Sequence, residues 1–251
     1  MKFGVADYGM NVWDGGRYCT EMRLEEIRSV GYDGLERLTA VTEAEAVRRA
    51  AVFRRLGMEF LTCEAADPET GMVWTAAFGR EYVWLEPGES SRNVPFDVFC
   101  RRANKFVAAA ARYGIRAGLH NHLGLRVESQ RELEDFLKAC PGAMLLLDVG
   151  HLHAAGGDCV EIIRKYGSRL CAVHFKDVEL TNPDIGLDRW YERLRFCELG
   201  GGNCGLDYGA MARELLRQGY DKWMLVEHDT HTDEPVRQLK ASLEVLKNAL
   251  A

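Results

Sequence analysis

The sequence predicts a single-domain parallel (β/α)₈ barrel over residues 1–251, and three observations carry that prediction. A glycine follows a helix-like segment and precedes a short apolar run again and again. Eight such runs alternate with amphipathic segments. The length suits one barrel, since folds of this class reach about 250 residues as a single unit. The punctuation falls at Gly31, Gly57, Gly114, Gly167 and Gly219, with Pro141-Gly142 doing the same work before AMLLLDVG. Glycine accepts the left-handed conformation that closes a helix, so each of these reads as a helix-to-strand loop. The strands predicted are Lys2–Ala6, Gly34–Leu38, Glu59–Cys63, Tyr82–Leu85, Ile115–His120, Met144–Asp148, Leu170–Phe175 and Trp223–Glu227. Between them, Phe99, Ala103, Phe106 and Ala110 share one helical face after Asp97, read as an N-cap. Glu132–Ala139 and Ala241–Leu250 show the same period, whereas Asp67–Ala77 is the least regular helix because it contains Pro68 and Gly71. A doubly wound open sheet would bring a glycine-rich dinucleotide fingerprint after the first strand, and GVADYGMNVWDGG is not one. Thr181–Tyr208 is the longest irregular stretch, and at the mouth of a barrel it reads as a lid or substrate wall.

Composition narrows the function. Apolar residues at 47% and charged residues at 28% fit a globular chain with a sizeable core. A formal charge of −6 repels a phosphate backbone, so nucleic acid is not expected as a partner. The first ten residues, MKFGVADYGM, lack a signal peptide's apolar stretch, and no run approaches the roughly 18 apolar residues of a membrane span. The 8 cysteines are scattered with no Cys-x-x-Cys pair, which reads as reduced thiols in a cytoplasmic chain. Cys63 and Cys171 sit inside apolar strands as core filler. A homo-oligomer is compatible with all of this.

The strand ends carry the chemistry. In a parallel barrel, side chains at the C-terminal ends of the strands converge on one mouth. The second, third and fourth strands end in Glu36, Glu64 and Glu86, each of which a βα-loop cap would also explain. The fifth ends in His120-Asn121-His122, and the sixth in Asp148 with His151 close behind. The seventh offers His174 and then Lys176-Asp177, and the eighth Glu227. Residues two apart share a face of a strand, so His120 goes with His122, His174 with Lys176, and Glu227 with Asp229. A carboxylate ending an apolar run such as LLLD or MLVE is costly to bury alone. His120, Asp148, His174 and Glu227 end four consecutive strands, and two imidazoles with two carboxylates suit one divalent ion. Mn²⁺ is the preferred ion, with Co²⁺, Fe²⁺, Zn²⁺ and, less well, Mg²⁺ as alternatives.

The strings LLLDVGHLHAAGGD, AVHFKDVEL, ELGGGNCGLDYG and GYDKWMLVEHD resemble the xylose-isomerase-like barrel superfamily of sugar isomerases and epimerases, and within it the inosose dehydratase branch. The resemblance runs from Ile115 to the end; before that it is architectural only. It implies a metal held by His120, Asp148, His174 and Glu227, with His151 and Lys176 contacting a sugar or cyclitol substrate. Many members read Glu-Asn-His where this chain reads His120-Asn121-His122. In the epimerases that glutamate and the eighth-strand glutamate act as paired acid and base. Its replacement by His120 points to abstraction of a proton by one carboxylate, Glu227, with Lys176 or His151 supplying a proton to oxygen.

His122, Glu36 and Trp13 are further candidates for substrate contact. Trp84 and Trp190 could stack on a sugar ring, although large aromatics more often build walls. His228 is out of phase with Glu227 and is expected to face a helix; His153 and His231 read as loop or surface residues. Gly200–Gly202 reads equally as a hinge or as a weak phosphate cradle, because no Lys-Ser/Thr follows it. An abasic-site endonuclease uses a similar barrel but needs three zinc ions and histidines in the first half, where this chain has none. A non-catalytic sugar-binding or partner-subunit barrel is the remaining alternative, and retention of Asp148, His174 and Glu227 argues against it.

Overall fold

A computed structural model of the chain describes residues 1–16, 19–230, 232 and 234–251. Its strands are β1 (Lys2–Val5), β2 (Gly34–Thr39), β3 (Glu59–Glu64), β4 (Tyr82–Trp84), β5 (Arg116–His120), β6 (Met144–Asp148), β7 (Leu170–Phe175), β8 (Asp177–Leu180), β9 (Leu194–Cys197) and β10 (Trp223–Val226). The helices are α1 (Thr20–Val30), α2 (Glu43–Leu56), α3 (Pro68–Ala77), α4 (Phe96–Arg112), α5 (Gln130–Ala139), α6 (Val149–Ala154), α7 (Cys159–Tyr166), α8 (Trp190–Arg193), α9 (Tyr208–Arg217) and α10 (Pro235–Leu250). Eight strands hydrogen-bond in the order β3-β2-β1-β10-β7-β6-β5-β4, all in parallel. This is the expected (β/α)₈ barrel, nearly closed: β3 and β4 bound the one seam without a ladder among the described residues.

The helices begin and end where local chemistry dictates. Thr42 caps α2 through the Glu45 amide, and Asp67 caps α3 through the Thr70 amide, with Pro68 at the first helical position where its missing N–H costs nothing. So the irregular-looking Asp67–Ala77 segment is a regular helix. Ser129 and Glu132 form a reciprocal capping box on α5. One expected cap shifts: α4 starts after Pro95, and Asp97 lies within its first turn, where it pairs with Arg101. Gly31, Gly57, Gly114 and Gly219 take positive φ, as the punctuation required. Gly167 does not. Its φ is −52°, and its role is steric, because a Cβ there would lie 2.8 Å from Gln218.

Two apolar layers hold the barrel. Ala6, Leu61, Tyr82, Met144, Leu146, Cys171, Ala172 and Leu225 fill its interior, and a larger layer, including Phe99, Phe136, Leu145, Leu147, Val173, Phe175 and Leu243, lies between strands and helices. The irregular stretch after the seventh strand contains an unforeseen element. β8 and β9 form an antiparallel hairpin that packs Val178, Leu194 and Phe196 on Leu123. No helix among the described residues is long and apolar enough to cross a membrane.

Candidate metal centre and active site

The ladder sets the site. β6 and β7 are in register with Asp148 opposite His174, and His120 is the last residue of β5. Glu227 follows β10 directly, its amide donating to the Phe175 carbonyl at 3.0 Å. One ligand atom from each of His120, Asp148, His174 and Glu227 comes within 4.8 Å of the others. His120 Nε2 is 3.2 Å from Asp148 Oδ2, and His174 Nδ1 is 2.8 Å from Glu227 Oε2 and 3.8 Å from Asp148 Oδ2. Asp148, His174 and Glu227 are buried, and His120 nearly so. Two imidazoles and two carboxylates converging this closely, on a site richer in carboxylates than in fixed cations, match the donor set and charge of one divalent ion.

Lys176 adds the second half of the site. Its Nζ lies 2.6 Å from Glu227 Oε2, 3.0 Å from Asp148 Oδ2, 2.5 Å from Asp229 Oδ2 and 3.3 Å from His151 Nε2. Gly150 makes room for it, since a Cβ there would meet Lys176 Cγ at 2.2 Å. Burial opposes ionisation throughout this cluster, and the pairing overcomes it. Asp148 and Glu227 are held below the usual carboxylate range despite their burial, chiefly by Lys176. Lys176 is raised well above its ordinary value by Asp148 and Asp229, again against burial. His151 is different: burial, and then Lys176, push it well below the usual imidazole range, so it is neutral. Burial and the nearby Glu227 lift Asp229 to about 7.

The structure brings most, but not all, of the expected residues together. His122 lies against His151 with ring centres 3.7 Å apart, and Trp190 meets both rings edge-on, so these three make one wall of the mouth. Trp84 stacks on His120 at 4.8 Å on the other side. Glu36 reaches the cluster but does not face an open space. It is buried, and its oxygens accept from Tyr82 Oη at 3.0 Å, Trp84 Nε1 at 2.8 Å and His174 Nε2 at 2.9 Å. Trp13, expected at the substrate, is fully buried and donates its indole N–H to the His228 carbonyl at 3.2 Å. Trp13 lies in a 3₁₀ segment, Asp7–Gly16, beyond the first strand, where strand phase no longer tells whether a side chain turns to the helices or to the mouth. His228 faces α10, with Nε2 3.2 Å from Ser242 Oγ. His153, half-buried, bonds the Cys204 carbonyl, and His231 lies outside the described residues. Gly200–Gly202 is not a phosphate cradle: the Gly200 and Gly202 amides already donate to Asp177 Oδ2 at 2.9 and 3.1 Å.

Two contributors, Asn121 and Asp229, were given no role in the sequence. Asn121 clamps β5 to the end of β6 by exchanging two 2.9 Å hydrogen bonds with the Asp148 backbone. Asp148 Oδ1 accepts the His151 amide at 2.8 Å, capping α6 and leaving Oδ2 for the site. Asp229 anchors Lys176, and its phase with Glu227 was the signal that could have found it. Its Oδ1 is buried with no hydrogen-bond partner among the described residues.

The chain is similar to known proteins in sequence and in fold. Inosose dehydratase of Bacillus licheniformis is 30% identical over 132 residues, 49% of this chain and 43% of that protein. Inosose dehydratase of Clostridium botulinum is 29% identical over 196 residues, 74% of this chain and 62% of its own. The chain thus spans about half the length of the curated relatives it matches. Among solved structures, D-psicose 3-epimerase with D-tagatose from Clostridium cellulolyticum superposes with a TM-score of 0.74 at 14% identity, covering 100% of this chain and 99% of that one. An IOLI protein with a bound zinc atom gives 0.71 at 16% identity, covering 100% and 98%. At such identities the likeness is one of fold. The sequence model of one family matches residues 24–249, nearly the whole chain, and by that match the protein belongs to the xylose isomerase-like TIM barrel family.

Proposed function

We propose that the protein is a divalent-metal-dependent enzyme that removes a proton next to the carbonyl of a keto-sugar or inosose-type cyclitol and completes an isomerisation or a dehydration. The observation that carries this reading is the convergence of His120, Asp148, His174 and Glu227 beside the Lys176 ammonium. The relatives named inosose dehydratase support the substrate class. Bound by these four residues, with Mn²⁺ the preferred ion, the metal would polarise the carbonyl and stabilise the negative charge that develops on its oxygen.

The chain's own groups divide the remaining work. Glu227 is kept ionised and takes the proton. Lys176 is kept protonated and delivers a proton to the enolate or leaving oxygen. Between the two donors that the sequence left open, the charge states favour Lys176, because neutral His151 has no proton to spare as a strong acid. His122, His151 and Trp190 exclude water on one side. The buried Oδ1 of Asp229 offers an acceptor for a substrate hydroxyl. His120 stands where an acid would serve a two-base epimerase, and Glu36 is occupied by three protein donors, so neither position supplies a second carboxylate base.

The test is to incubate the Mn²⁺-loaded protein in D₂O with inososes, ketohexoses and their phosphates and to follow products by NMR. Deuterium entering beside the carbonyl, or loss of water, is the expected result, and Glu227→Gln should stop it. Turnover of a substrate without solvent exchange or water loss would favour a hydride shift and remove the base role from Glu227.

A further inference from the structure

We propose that Glu36 is a positioning residue that fixes the tautomer and orientation of His174, so that the Nδ1 lone pair of His174 is turned toward the divalent ion. The inference rests on the metal reading above. His174 has a carboxylate on each side: Glu36 Oε2 2.9 Å from Nε2, and Glu227 Oε2 2.8 Å from Nδ1. Only the Nδ1 side also faces Asp148, at 3.8 Å, and Asp148 and Glu227 are the carboxylates of the four-residue cluster. With Nε2–H donated to Glu36, a neutral imidazole must carry its lone pair on Nδ1. A hydrogen-bonded carboxylate behind a ligating imidazole fixes the ring and raises its basicity.

Glu36 is itself held. Its Oε1 accepts from Tyr82 Oη and Trp84 Nε1, so a carboxylate only 1% exposed is satisfied by three donors from β4 and β7. Trp84, which donates one of them, stacks on His120 with ring centres 4.8 Å apart and planes 28° apart. One network therefore sets both imidazoles of the site: His174 through a hydrogen bond, His120 through the ring that Glu36 anchors. A glutamine cannot replace it. An amide nitrogen toward His174 meets the Nε2–H and forces the opposite tautomer, while an amide nitrogen toward Trp84 meets an indole that only donates.

The experiment measures Zn²⁺ and Co²⁺ affinity by calorimetry for the full chain and for Glu36→Gln, His174→Ala and the double variant. Glu36→Gln should weaken binding by about 10–100-fold, the range for groups supporting a metal ligand. Added to His174→Ala, it should lower affinity by clearly less than in the native chain, because its direct partner is gone and only the Trp84 contact to His120 remains. In the Zn²⁺-loaded protein, the downfield Nε2 proton of His174 should be visible by NMR and absent from Glu36→Gln. Should that variant fold poorly, Trp84→Phe, which keeps an aromatic ring against His120, should lower affinity by about threefold to tenfold. Wild-type affinity in Glu36→Gln and Trp84→Phe, or an equal loss with and without His174, would overturn the positioning role and leave the metal reading intact. Absence of metal binding by the unmodified chain would overturn that reading, and the positioning role with it.

Discussion

Lys176→Met tests how the buried charges are balanced. The substitution keeps most of the stem that passes over Gly150 and removes an ammonium within 3.0 Å of Asp148, Glu227 and Asp229. Breaking a buried ion pair from one side costs about 3–5 kcal/mol, because the partner charge stays behind uncompensated. In a domain of this size 1 kcal/mol corresponds to about 2–4 °C, so the melting temperature in EDTA should fall by about 6–20 °C. Saturating Mn²⁺ should reverse most of that fall, since a dication among Asp148, Glu227 and the two imidazoles supplies the missing positive charge. Lys176 is not a ligand, so metal stoichiometry should be retained while turnover drops by about 10²–10⁴-fold, as for loss of a general acid. Circular-dichroism melts with EDTA and with Mn²⁺ give the two stability values, elemental analysis the stoichiometry, and the D₂O exchange assay the turnover. A fall under about 3 °C in EDTA, or loss of bound metal, would show that Lys176 does not balance these carboxylates.

Asn121→Ala deletes both hydrogen bonds to the Asp148 backbone and should cost about 2 kcal/mol or more in urea unfolding, with weaker metal binding as Asp148 loosens. Gly150→Ala places a Cβ 2.2 Å from Lys176 Cγ and 2.9 Å from the Lys176 carbonyl; it should destabilise by about 1–3 kcal/mol and depress turnover as Lys176→Met does. Glu132 resists burial through bonds from Arg92 and the Ser129 and Glu128 amides, which draw its pKa from 4.5 to about 2. A depressed carboxylate stabilises fully above its unfolded value and loses that contribution as pH falls through the folded one. Urea midpoints should therefore drop between pH 4.5 and 2 in the wild type and less steeply in Glu132→Gln.

The fold was legible because barrel strands buried on both faces read as apolar runs, and helix ends carry glycine or a capping side chain. The grouping of the four candidate ligand residues was legible because strand phase and strand ends place them at one mouth. Lys176 followed from its phase with His174, and Asp229 could have followed from its phase with Glu227. The rest depended on contacts that sequence spacing does not encode. Glu36 was visible as a strand-end acid, but not its three donors, which come from β4 and from β7 across the barrel. Trp13 sits in a segment without strand phase. The β8–β9 hairpin hides in a glycine-rich stretch because its pairing is set by Leu123 beneath it and by Asp177 gathering the Gly200 and Gly202 amides.

The proposed chemistry depends on His120, Asp148, His174 and Glu227 holding one divalent ion. The most direct measurement is elemental analysis, joined to a calorimetric Mn²⁺ titration, of protein purified without a histidine tag and of an Asp148→Ala, His174→Ala double variant. One equivalent of a first-row metal in the native chain and none in the variant is the predicted result. Stoichiometric metal retained by the double variant would contradict the account.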